Sequence, residues 1–447
     1  MKNFNLIDSV KIVPFYSFPH IKSIFELPYS DRAVIENYQL SKLKKLIDFA
    51  YNNINLYKEK YDKVGVTVKD INKLEDIKFL PFITKEEILE NFPNNVLPKS
   101  ININECIVSQ SSGSTGKVLK VIYDKSTFAK YMLAGLRTYQ MGLNWKPWYR
   151  QLSIYTSKHP LDSMLSFYWL RFISTLEPLE KITNEMLNYK PHFISCYPSR
   201  LKEIKLFMAE RKISSPPSLK TIFLNSEKTN THDLKRFGEF FNCNIYDEYS
   251  SEELNRIASQ CIYHNYHIFE DMNIIEIIDS KGNSINDGGI GEVIGTNLAN
   301  FCMPLIRYKQ GDLASIKSSL KCPCKRKFQI LQDLEGRMND HFILPSGKLL
   351  SSGFLLDLTY SILLDEEDSI NDFCLIQKSR NKIVFEFIPG LKYNENIKSK
   401  IHKKLMQHIL EDVVLEVNQT DYLSKTISGK QNPIICEIRN DNDKNNI

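Results

Sequence analysis

The chain has 447 residues, of which 42% are hydrophobic and 25% charged, which is enough apolar material for a large folded domain with at least one smaller one. Its 58 basic and 53 acidic side chains form no long basic block, which argues against a nucleic-acid-binding protein. No run of about 18 apolar residues predicts a membrane span, and nine scattered cysteines indicate reduced thiols, so we expect a cytoplasmic protein.

Helical and strand patterns alternate along the first two thirds of the chain. Apolar residues recur at helical spacing from Arg32 to Tyr61 and predict an amphipathic helix. Thr84 and Glu87 have the spacing of a capping box, which predicts the start of another helix. The order predicts an α/β core with an added β-rich portion. The candidate strands are Thr221–Leu224, Asn244–Tyr246, Ile274–Ile278 and Glu292–Thr296.

The pattern restarts after Gly336 with a second, shorter series. A hairpin from Asp372 to Pro389, a helix from Asn394 to Leu410 and a strand from Val413 to Val417 predict a compact α+β module. We therefore expect a large domain over residues 1–336, a small one over residues 337–439 and a disordered tail over residues 440–447.

A segment rich in hydroxyls and glycine, Ser109–Lys117, has the composition of a phosphate-binding loop. Glycines let backbone N–H groups approach an anion, and serine and threonine hydroxyls donate to it. A Walker loop requires glycine at the position of Ser111 and serine or threonine after Lys117, where this chain has Val118, which excludes a GTPase or a P-loop kinase. A polar surface loop is the alternative for this segment taken alone.

The phosphate loop and the motifs that follow it resemble, in their order, those of the ANL superfamily of adenylate-forming enzymes. That superfamily contains acyl-CoA synthetases, adenylation domains and luciferases. Within it, Leu80–Glu86, Cys261–Glu276 and Met303–Tyr308 are similar to the phenylacetate-CoA ligase and CapK-type branch. The segments that resemble the superfamily motifs are Ser111–Lys120 (ATP loop), Asn225–Glu227 (adenine turn), Tyr249–Glu253 (Tyr-Gly-x-Thr-Glu), Arg307–Asp312 (ribose motif), Gly336–Asp340 (hinge) and Ser428–Lys430 (carboxy-terminal lysine).

The resemblance implies an α/β adenylation domain followed by a small α+β lid domain. It implies a carboxylic acid, ATP with Mg²⁺ and coenzyme A, or another thiol or amine acceptor, as partners of a monomer or homodimer. A place in capsule or O-antigen polysaccharide biosynthesis follows from the CapK likeness. The alternative is a degenerate, non-catalytic nucleotide-binding protein of such a cluster, because Ser250, Glu252 and Asn339 depart from the family motifs.

The resemblance also implies roles for single residues. Glu253 is expected to bind Mg²⁺, with Glu252 as the open alternative, and Asp312 to accept hydrogen bonds from the ribose hydroxyls. Arg337 is expected on the ribose or phosphate side, and Lys430 at the α-phosphate. The residues expected at the phosphates are Ser111, Ser112, Gly113, Ser114, Thr115, Gly116 and Lys117. Those expected at the adenine are Ser226, Glu227 and Tyr249, although core packing is an alternative role for Tyr249. The expected hinge residues are Asn339 and Asp340.

The acid itself is expected in a pocket built from three segments. These are Tyr155–Pro160, Cys196–Ser199 and Asn225–Glu227. Nothing in their composition separates an aromatic from an aliphatic lining, so the sequence leaves the identity of the acid open.

A second group of residues has the composition of a zinc site. Cys261, His267, Cys322 and Cys324 supply three thiolates and one imidazole, a set suited to tetrahedral zinc. Four ligands leave no open position, which is typical of a structural metal. His264 is a rival to His267, and buried free cysteines are the alternative to any metal site.

Overall fold

The computed structural model describes residue 16 and residues 18–110, 119–156, 169–229, 231–285, 287–337, 341–350, 352–364, 369–424 and 431–438. The chain divides into two compact units, one of Met1–Gln310 with Ala314–Asp333 and one of Gly311–Leu313 with Leu334–Ile447. Among the described residues, no helix is both long and apolar enough to cross a membrane.

Ten α-helices lie in the described part of the chain. The helix predicted from Arg32 to Tyr61 is two helices, because Ile54 is extended and buried and the preceding asparagines bond back to the carbonyls of Asp48 and Phe49. The predicted capping box of Thr84 and Glu87 is confirmed at the start of α4. The helices are α1 Ile21–Phe25, α2 Arg32–Asn53, α3 Asn55–Val64, α4 Lys85–Asn91, α5 Lys125–Leu143, α6 Leu179–Tyr189, α7 Pro198–Glu210, α8 Thr231–Phe241, α9 Ser352–Leu364 and α10 Asn396–Ile409.

The described strands form two sheets of two strands each, one sheet of eleven strands and one of four strands. All four predicted strands of the middle region are confirmed. Three agree within one residue at each end, and the strand that begins at Asn244 ends at Ser251, five residues later than predicted. The strands are β1 Ile107–Gln110, β2 Lys120–Tyr123, β3 Arg150–Tyr155, β4 Trp169–Ser174, β5 Phe193–Cys196, β6 Thr221–Asn225, β7 Asn244–Ser251, β8 Asn255–Gln260, β9 Tyr266–Ile268, β10 Asn273–Ile278, β11 Gly291–Asn297, β12 Tyr308–Lys317, β13 Ile330–Arg337, β14 Phe342–Ile343, β15 Leu349–Leu350, β16 Ile370–Ser379, β17 Lys382–Pro389, β18 Val414–Gln419 and β19 Ile434–Cys436.

The large sheet has the order β10-β11-β12-β13-β9-β8-β7-β6-β5-β3-β4. Strands β4, β3, β5, β6 and β7 are parallel neighbours, whereas β7, β8, β9 and β13 pair antiparallel. This is the predicted α/β core with a β-rich portion, so the predicted fold class is confirmed.

One face of the parallel strands is aliphatic and packs on α6, α7 and α8. Leu152, Ile154, Ile194, Ile222 and Leu224 lie on this face and are almost fully buried. Burial of about five such side chains at roughly 1.5–3 kcal/mol each fixes the register of β3, β5 and β6.

The opposite face of these strands packs on α5, and glycine lets that helix come close. A Cβ at Gly142 would lie 2.6 Å from Tyr246 and 2.9 Å from Phe223. Tyr139 on the same helix packs against two rings in tilted geometry, with ring-centroid distances of 4.7 Å to Phe193 and 5.1 Å to Phe223. The helix therefore rests on an aromatic layer at this end of the strands.

The second unit contains a four-stranded sheet of order β18-β17-β16-β19. The predicted hairpin is β16–β17, and the predicted helix and strand are α10 and β18. Apolar side chains of α9, α10 and the sheet, among them Phe373, Phe385 and Leu405, form its core. The composition of this unit is α+β, as predicted.

Candidate functional site

A cavity of about 80 Å³ lies between α5 and the parallel strands of the first unit. Tyr155 and Asn225, the last residues of β3 and β6, line it, together with Ser195, which is one residue before the end of β5. Ligands of open parallel sheets bind at the carboxyl ends of the strands, because helix and strand ends converge there. The cavity is thus in the position expected of a substrate site.

The sheet register brings the floor of the cavity together. Ser153 pairs with Ser195, and Ser195 pairs with Phe223, so these three side chains stand side by side on one face. In the next row Asn225 pairs with Glu248 of β7. The same face therefore carries hydroxyl, aromatic, amide and carboxylate groups where the reverse face is aliphatic.

Gln151 ties the polar side chains of the floor to α5. Its Nε2 lies 3.0 Å from the Tyr139 hydroxyl, 3.1 Å from Ser153 Oγ and 3.2 Å from Ser195 Oγ. Gln151, Ser153 and Ser195 are 3%, 3% and 4% exposed. The amide has two N–H groups for these three oxygens, and the structure gives neither serine hydroxyl an acceptor for its own proton among the described residues.

An ion pair between Glu248 and Arg256 forms one wall. Glu248 Oε2 accepts from Arg256 Nε and from Thr138 Oγ1, each at 2.9 Å. The other carboxylate oxygen, Oε1, accepts no hydrogen bond from any residue that the structure describes. Gly135 makes room for the guanidinium, because a Cβ there would lie 3.1 Å from Arg256 Nη2.

Tyr155 and Asn225 lie where the strands end, and they belong to two segments in which the acid pocket was expected. Asn225 Nδ2 donates to the Tyr155 hydroxyl at 2.8 Å, and burial raises the pKa of Tyr155, which keeps that hydroxyl protonated. The third expected segment, Cys196–Ser199, does not line the cavity; Ser195, the residue before it, does. Residues 157–160 lie outside the described residues.

The predicted adenine turn has two different local roles. Ser226 adopts a left-handed backbone (φ 69°) directly after β6. Glu227 accepts from the Ser199 backbone N–H at 2.8 Å and from its hydroxyl at 2.9 Å. Its carboxylate thus lies at the amino-terminal end of α7, where a negative charge is stabilised.

The two adjacent glutamates after Tyr249 differ in their surroundings. Tyr249 is buried in β7. Glu253 is also buried, and Oε1 accepts from the Tyr308 hydroxyl at 3.3 Å, while no described residue bonds to Oε2. Glu252 is exposed and accepts from the hydroxyl of Ser109, which lies in β1 and is the first residue of the predicted phosphate loop.

Several predicted site residues cannot be compared with the structure. Arg337 ends β13, but its side chain is outside the described part. Asp312, in contrast, is described: it is buried in β12, within the short segment grouped with the second unit. Ser111, Ser112, Gly113, Ser114, Thr115, Gly116, Lys117, Asn339, Asp340 and Lys430 lie outside the described residues.

The structure brings Cys261, His267, Cys322 and Cys324 together, with their ligand atoms all within 4.8 Å of one another. Cys261 Sγ is 3.5 Å from Cys322 Sγ, and Cys324 Sγ is 3.1 Å from His267 Nε2. The rival His264 has an exposed side chain against Tyr246 and is not in the group.

Hydrogen bonds around these four residues, here called the thiol cluster, suit a bound cation. His267 Nδ1 lies 3.3 Å from the Phe328 carbonyl, which turns Nε2 toward the thiols. Asn265 Nδ2 donates to Cys322 Sγ at 3.3 Å. The hydrogen bond with Cys261 lowers the pKa of Cys324, with a further contribution from His267, and thus favours a thiolate.

The three stretches that are similar to the phenylacetate-CoA ligase and CapK branch meet at Arg307. Its guanidinium binds both carboxylate oxygens of Glu276 at 2.9 and 3.1 Å and donates to the carbonyls of Lys78 and Leu80. It also lies 4.1 Å from the centre of the Phe82 ring. These stretches therefore form a structural anchor within the first unit, here called the Arg307 anchor.

The sequence analysis missed the polar floor and wall of the cavity. Parallel strands covered by helices on both sides are usually apolar on both faces. Polar residues at alternate positions of such strands are the signal that was available. They are Gln151 and Ser153 in β3, Ser195 in β5 and Glu248 in β7, which face Thr138 of α5 and Arg256 of β8.

No family model matches the chain. It is 25% identical over 336 residues to phenylacetate-coenzyme A ligase of Thermus thermophilus, covering 71% of this chain and 74% of that protein. It is 23% identical over 452 residues to protein CapK of Staphylococcus aureus, covering 97% of each.

The crystal structure of 2-hydroxyisobutyryl-CoA ligase in the postadenylation state superposes with a TM-score of 0.78 over 92% of this chain and 91% of that one. Sequence identity is 15%, so the likeness to that structure shows the fold. The curated relatives and this fold together confirm the resemblance predicted from the motifs.

Proposed function

We propose that this chain, an adenylate-forming enzyme of the ANL superfamily, is an ATP-dependent acid–coenzyme A ligase. A carboxylate oxygen of the acid attacks the α-phosphorus of ATP, and pyrophosphate leaves. The thiolate of coenzyme A then attacks the acyl carbon, and AMP leaves. Both steps depend on positioning and on neutralising charge at phosphate, because neither requires a covalent bond to the protein.

The cavity at the strand ends is the observation that carries this proposal. Asn225 lines it and begins the predicted adenine turn, and Glu248 lines it and directly precedes Tyr249 of the next motif. An acid bound there would lie beside the nucleotide that those two segments are expected to contact. The relatives named phenylacetate-coenzyme A ligase support the same chemistry.

The proposal is tested by adding ATP, Mg²⁺ and a library of carboxylic acids to the purified protein. Release of pyrophosphate that depends on one class of acid is expected, with acyl-CoA formed when coenzyme A is added. A hydroxylamine trap in place of coenzyme A distinguishes adenylation from thiol transfer. ATP binding without pyrophosphate release for any acid would instead favour the degenerate nucleotide-binding protein.

Glu253 is proposed to bind the Mg²⁺ ion of the ATP complex. Its buried carboxylate has one neutral donor, Tyr308, among the described residues, and a buried anion with so little compensation favours a cation. Glu253→Gln is expected to lower the rate of pyrophosphate release about 10²-fold, and Glu252→Gln is the matched control. A larger loss at Glu252 would move the metal ligand to that residue.

Lys430 is proposed to neutralise charge at the α-phosphate, and Asp312 to hold the ribose, as the family motifs imply. Lys430→Ala should lower pyrophosphate exchange by about 10²–10³ and spare thioester formation from synthetic acyl-AMP. Lys425→Ala is the control. Equal losses in both half-reactions would make Lys430 structural.

A structural zinc ion is proposed at the thiol cluster. Ligand atoms at about 2.0–2.3 Å from tetrahedral zinc stand roughly 3.5–3.8 Å apart, close to the 3.5 Å between Cys261 and Cys322. The donor set and the Phe328 carbonyl behind His267 fit this metal. Zinc would cross-link the turn after β8 to the segment before β13.

Metal analysis of the purified protein tests the zinc proposal. About one zinc per chain is expected, and Cys322→Ser with Cys324→Ser should lower both the metal content and the melting temperature. Cys243→Ser, at a half-buried cysteine outside the thiol cluster, is the control. A metal-free wild type that is as stable as the zinc-loaded protein contradicts the proposal.

A role in capsule or O-antigen polysaccharide biosynthesis is proposed from the likeness to CapK, which spans 97% of both chains. The acyl group would then be destined for a sugar or an amino sugar. Deletion of the gene should remove one acyl substituent from the surface polysaccharide, detectable by mass spectrometry. An unchanged polysaccharide would favour acid catabolism.

A further inference from the structure

The cavity has hydrogen-bonding groups that the protein itself does not use. The hydroxyls of Ser153 and Ser195 lie within hydrogen-bonding distance of Gln151 Nε2, which can only donate, and they have no described acceptor for their own protons. Glu248 Oε1 has no described donor, although Oε2 has two. All three side chains are more than nine-tenths buried, at 3%, 4% and 6% exposed.

Buried polar groups that leave a donor or an acceptor unused are costly, by up to the amount of a lost hydrogen bond. Three of them around one cavity indicate that the bound molecule supplies the missing partners. The two serines offer hydrogen-bond donors, and the Glu248 carboxylate offers an acceptor. A hydroxyl group is the smallest substituent that can both accept from a serine and donate to the carboxylate.

The charge of the wall argues against an ionic substituent. Arg256 already neutralises Glu248 through Nε at 2.9 Å, so the pair has no net charge to offer an ammonium group. A second carboxylate on the acid would face Glu248 Oε1 and be repelled. A neutral hydroxyl is compatible with both members of the pair.

The size of the cavity limits the acid. A single water needs roughly 10–15 Å³, so the 80 Å³ of this cavity hold a few heavy atoms beyond the carboxylate. Phe223, Leu170 and Met132 add apolar wall to the same space. The lining thus fits a short carbon skeleton with a polar substituent.

We propose that the acid activated by this enzyme is a hydroxylated carboxylic acid. Ser153, Ser195 and Glu248 recognise its hydroxyl through hydrogen bonds. This inference rests on the proposed ligase function and names its substrate class. Replacing that hydroxyl by hydrogen or methyl leaves the buried polar groups unpaired, so the site rejects the analogue more strongly than an apolar pocket would.

Pairs of acids that differ by hydroxyl against methyl test the proposal. We would measure kcat/KM for pyrophosphate release with 3-hydroxybutanoate against 3-methylbutanoate, and with 4-hydroxybutanoate against pentanoate. The hydroxylated member is expected to be preferred about 10²-fold or more in at least one pair. Equal or better use of both methyl members overturns the proposal and leaves the ligase function standing.

Variants locate the recognition. Ser153→Ala and Ser195→Ala should each reduce the hydroxyl-to-methyl ratio of kcat/KM by about tenfold. Ser218→Ala is the matched control. Ser218 lies just before β6, its hydroxyl donates to the Pro191 carbonyl, and it does not line the cavity. A ratio that survives both cavity variants assigns recognition to other residues and overturns the proposal.

Calorimetric binding of the same acid pairs separates the two proposals. If no acid supports pyrophosphate release but the hydroxylated member binds about tenfold tighter and Ser195→Ala removes that preference, the ligase function fails and the cavity assignment holds. If neither release nor selective binding is observed, both fail.

Discussion

Two buried arginine–glutamate pairs in the first unit differ in what surrounds them. Arg307 and Glu276 use both carboxylate oxygens, and the guanidinium also donates to two backbone carbonyls. Glu248 and Arg256 share a single carboxylate oxygen, and the second oxygen has no donor among the described residues. The first pair is closed on itself, and the second borders a cavity.

This difference separates a structural pair from a recognition pair. A buried ion pair stabilises a fold only when its geometry is good and its remaining hydrogen-bonding capacity is satisfied. The Arg307 anchor meets that condition. The Glu248 pair does not meet it without a ligand, although both pairs join a carboxylate to a guanidinium at 2.9 Å.

The largest effect is expected from Glu276→Gln, which breaks the closed pair. It leaves Arg307 charged and only 3% exposed, so the free energy of unfolding should fall by about 3–5 kcal/mol. Urea unfolding measures it, with Glu292→Gln, at the half-exposed pair with Lys309, as control. A loss below about 1 kcal/mol would contradict the assignment of this pair as an anchor.

An effect of intermediate size, which depends on pH, is expected for the stability contributed by Asp247, the residue next to Glu248 of the second pair. Burial, with a smaller contribution from the charge of the neighbouring Glu248, raises the pKa of Asp247 to about 7. A raised carboxyl pKa means that the folded state binds the proton more tightly than the unfolded state, so this contribution to stability is lost as pH rises from about 4 to 7. Asp247→Asn mimics the protonated form.

Between pH 5 and pH 8 the wild type should therefore lose about 2–3 kcal/mol of unfolding free energy relative to Asp247→Asn. Urea unfolding across that range measures the difference. Asp48→Asn, at an exposed site, should leave the pH dependence of the wild type unchanged. Parallel pH profiles for wild type and Asp247→Asn would show that the carboxyl is ionised in the fold.

The smallest effect on stability is expected from Glu248→Gln, which matches the change at Glu276. Glutamine keeps an acceptor for Thr138, and Arg256 lines the cavity and is 22% exposed. The free energy of unfolding should fall by about 1–2 kcal/mol. A loss as large as that of Glu276→Gln would remove the distinction between the two pairs.

The fold was predictable because it depends on signals that lie close together in sequence. The alternation of strands and helices, the capping box at Thr84 and the hairpin β16–β17 each depend on local patterns. The thiol cluster was predictable for another reason: Cys261, His267, Cys322 and Cys324 have side chains whose chemistry is distinctive even without coordinates.

The polar floor of the cavity was not predictable in the same way. Ser153 and Ser195 are ordinary serines in apolar strands, and they become neighbours only through the register of β3 on β5. The role of Glu227 also depends on geometry, because its carboxylate meets Ser199, 28 residues earlier, at the end of a helix. Motif likeness indicates which segments belong to a site, and register decides which atoms face the ligand.

The Arg307 anchor also has a consequence for how the chain folds during its synthesis. The bond from Arg307 to the Leu80 carbonyl joins residues 227 positions apart. At ribosomal rates of about 5–20 residues per second, Arg307 is synthesised roughly 10–50 seconds after the segment around Leu80. During that interval Phe82 and Ile83, later covered by Arg307 and paired with Tyr308, are exposed to other nascent chains and to chaperones.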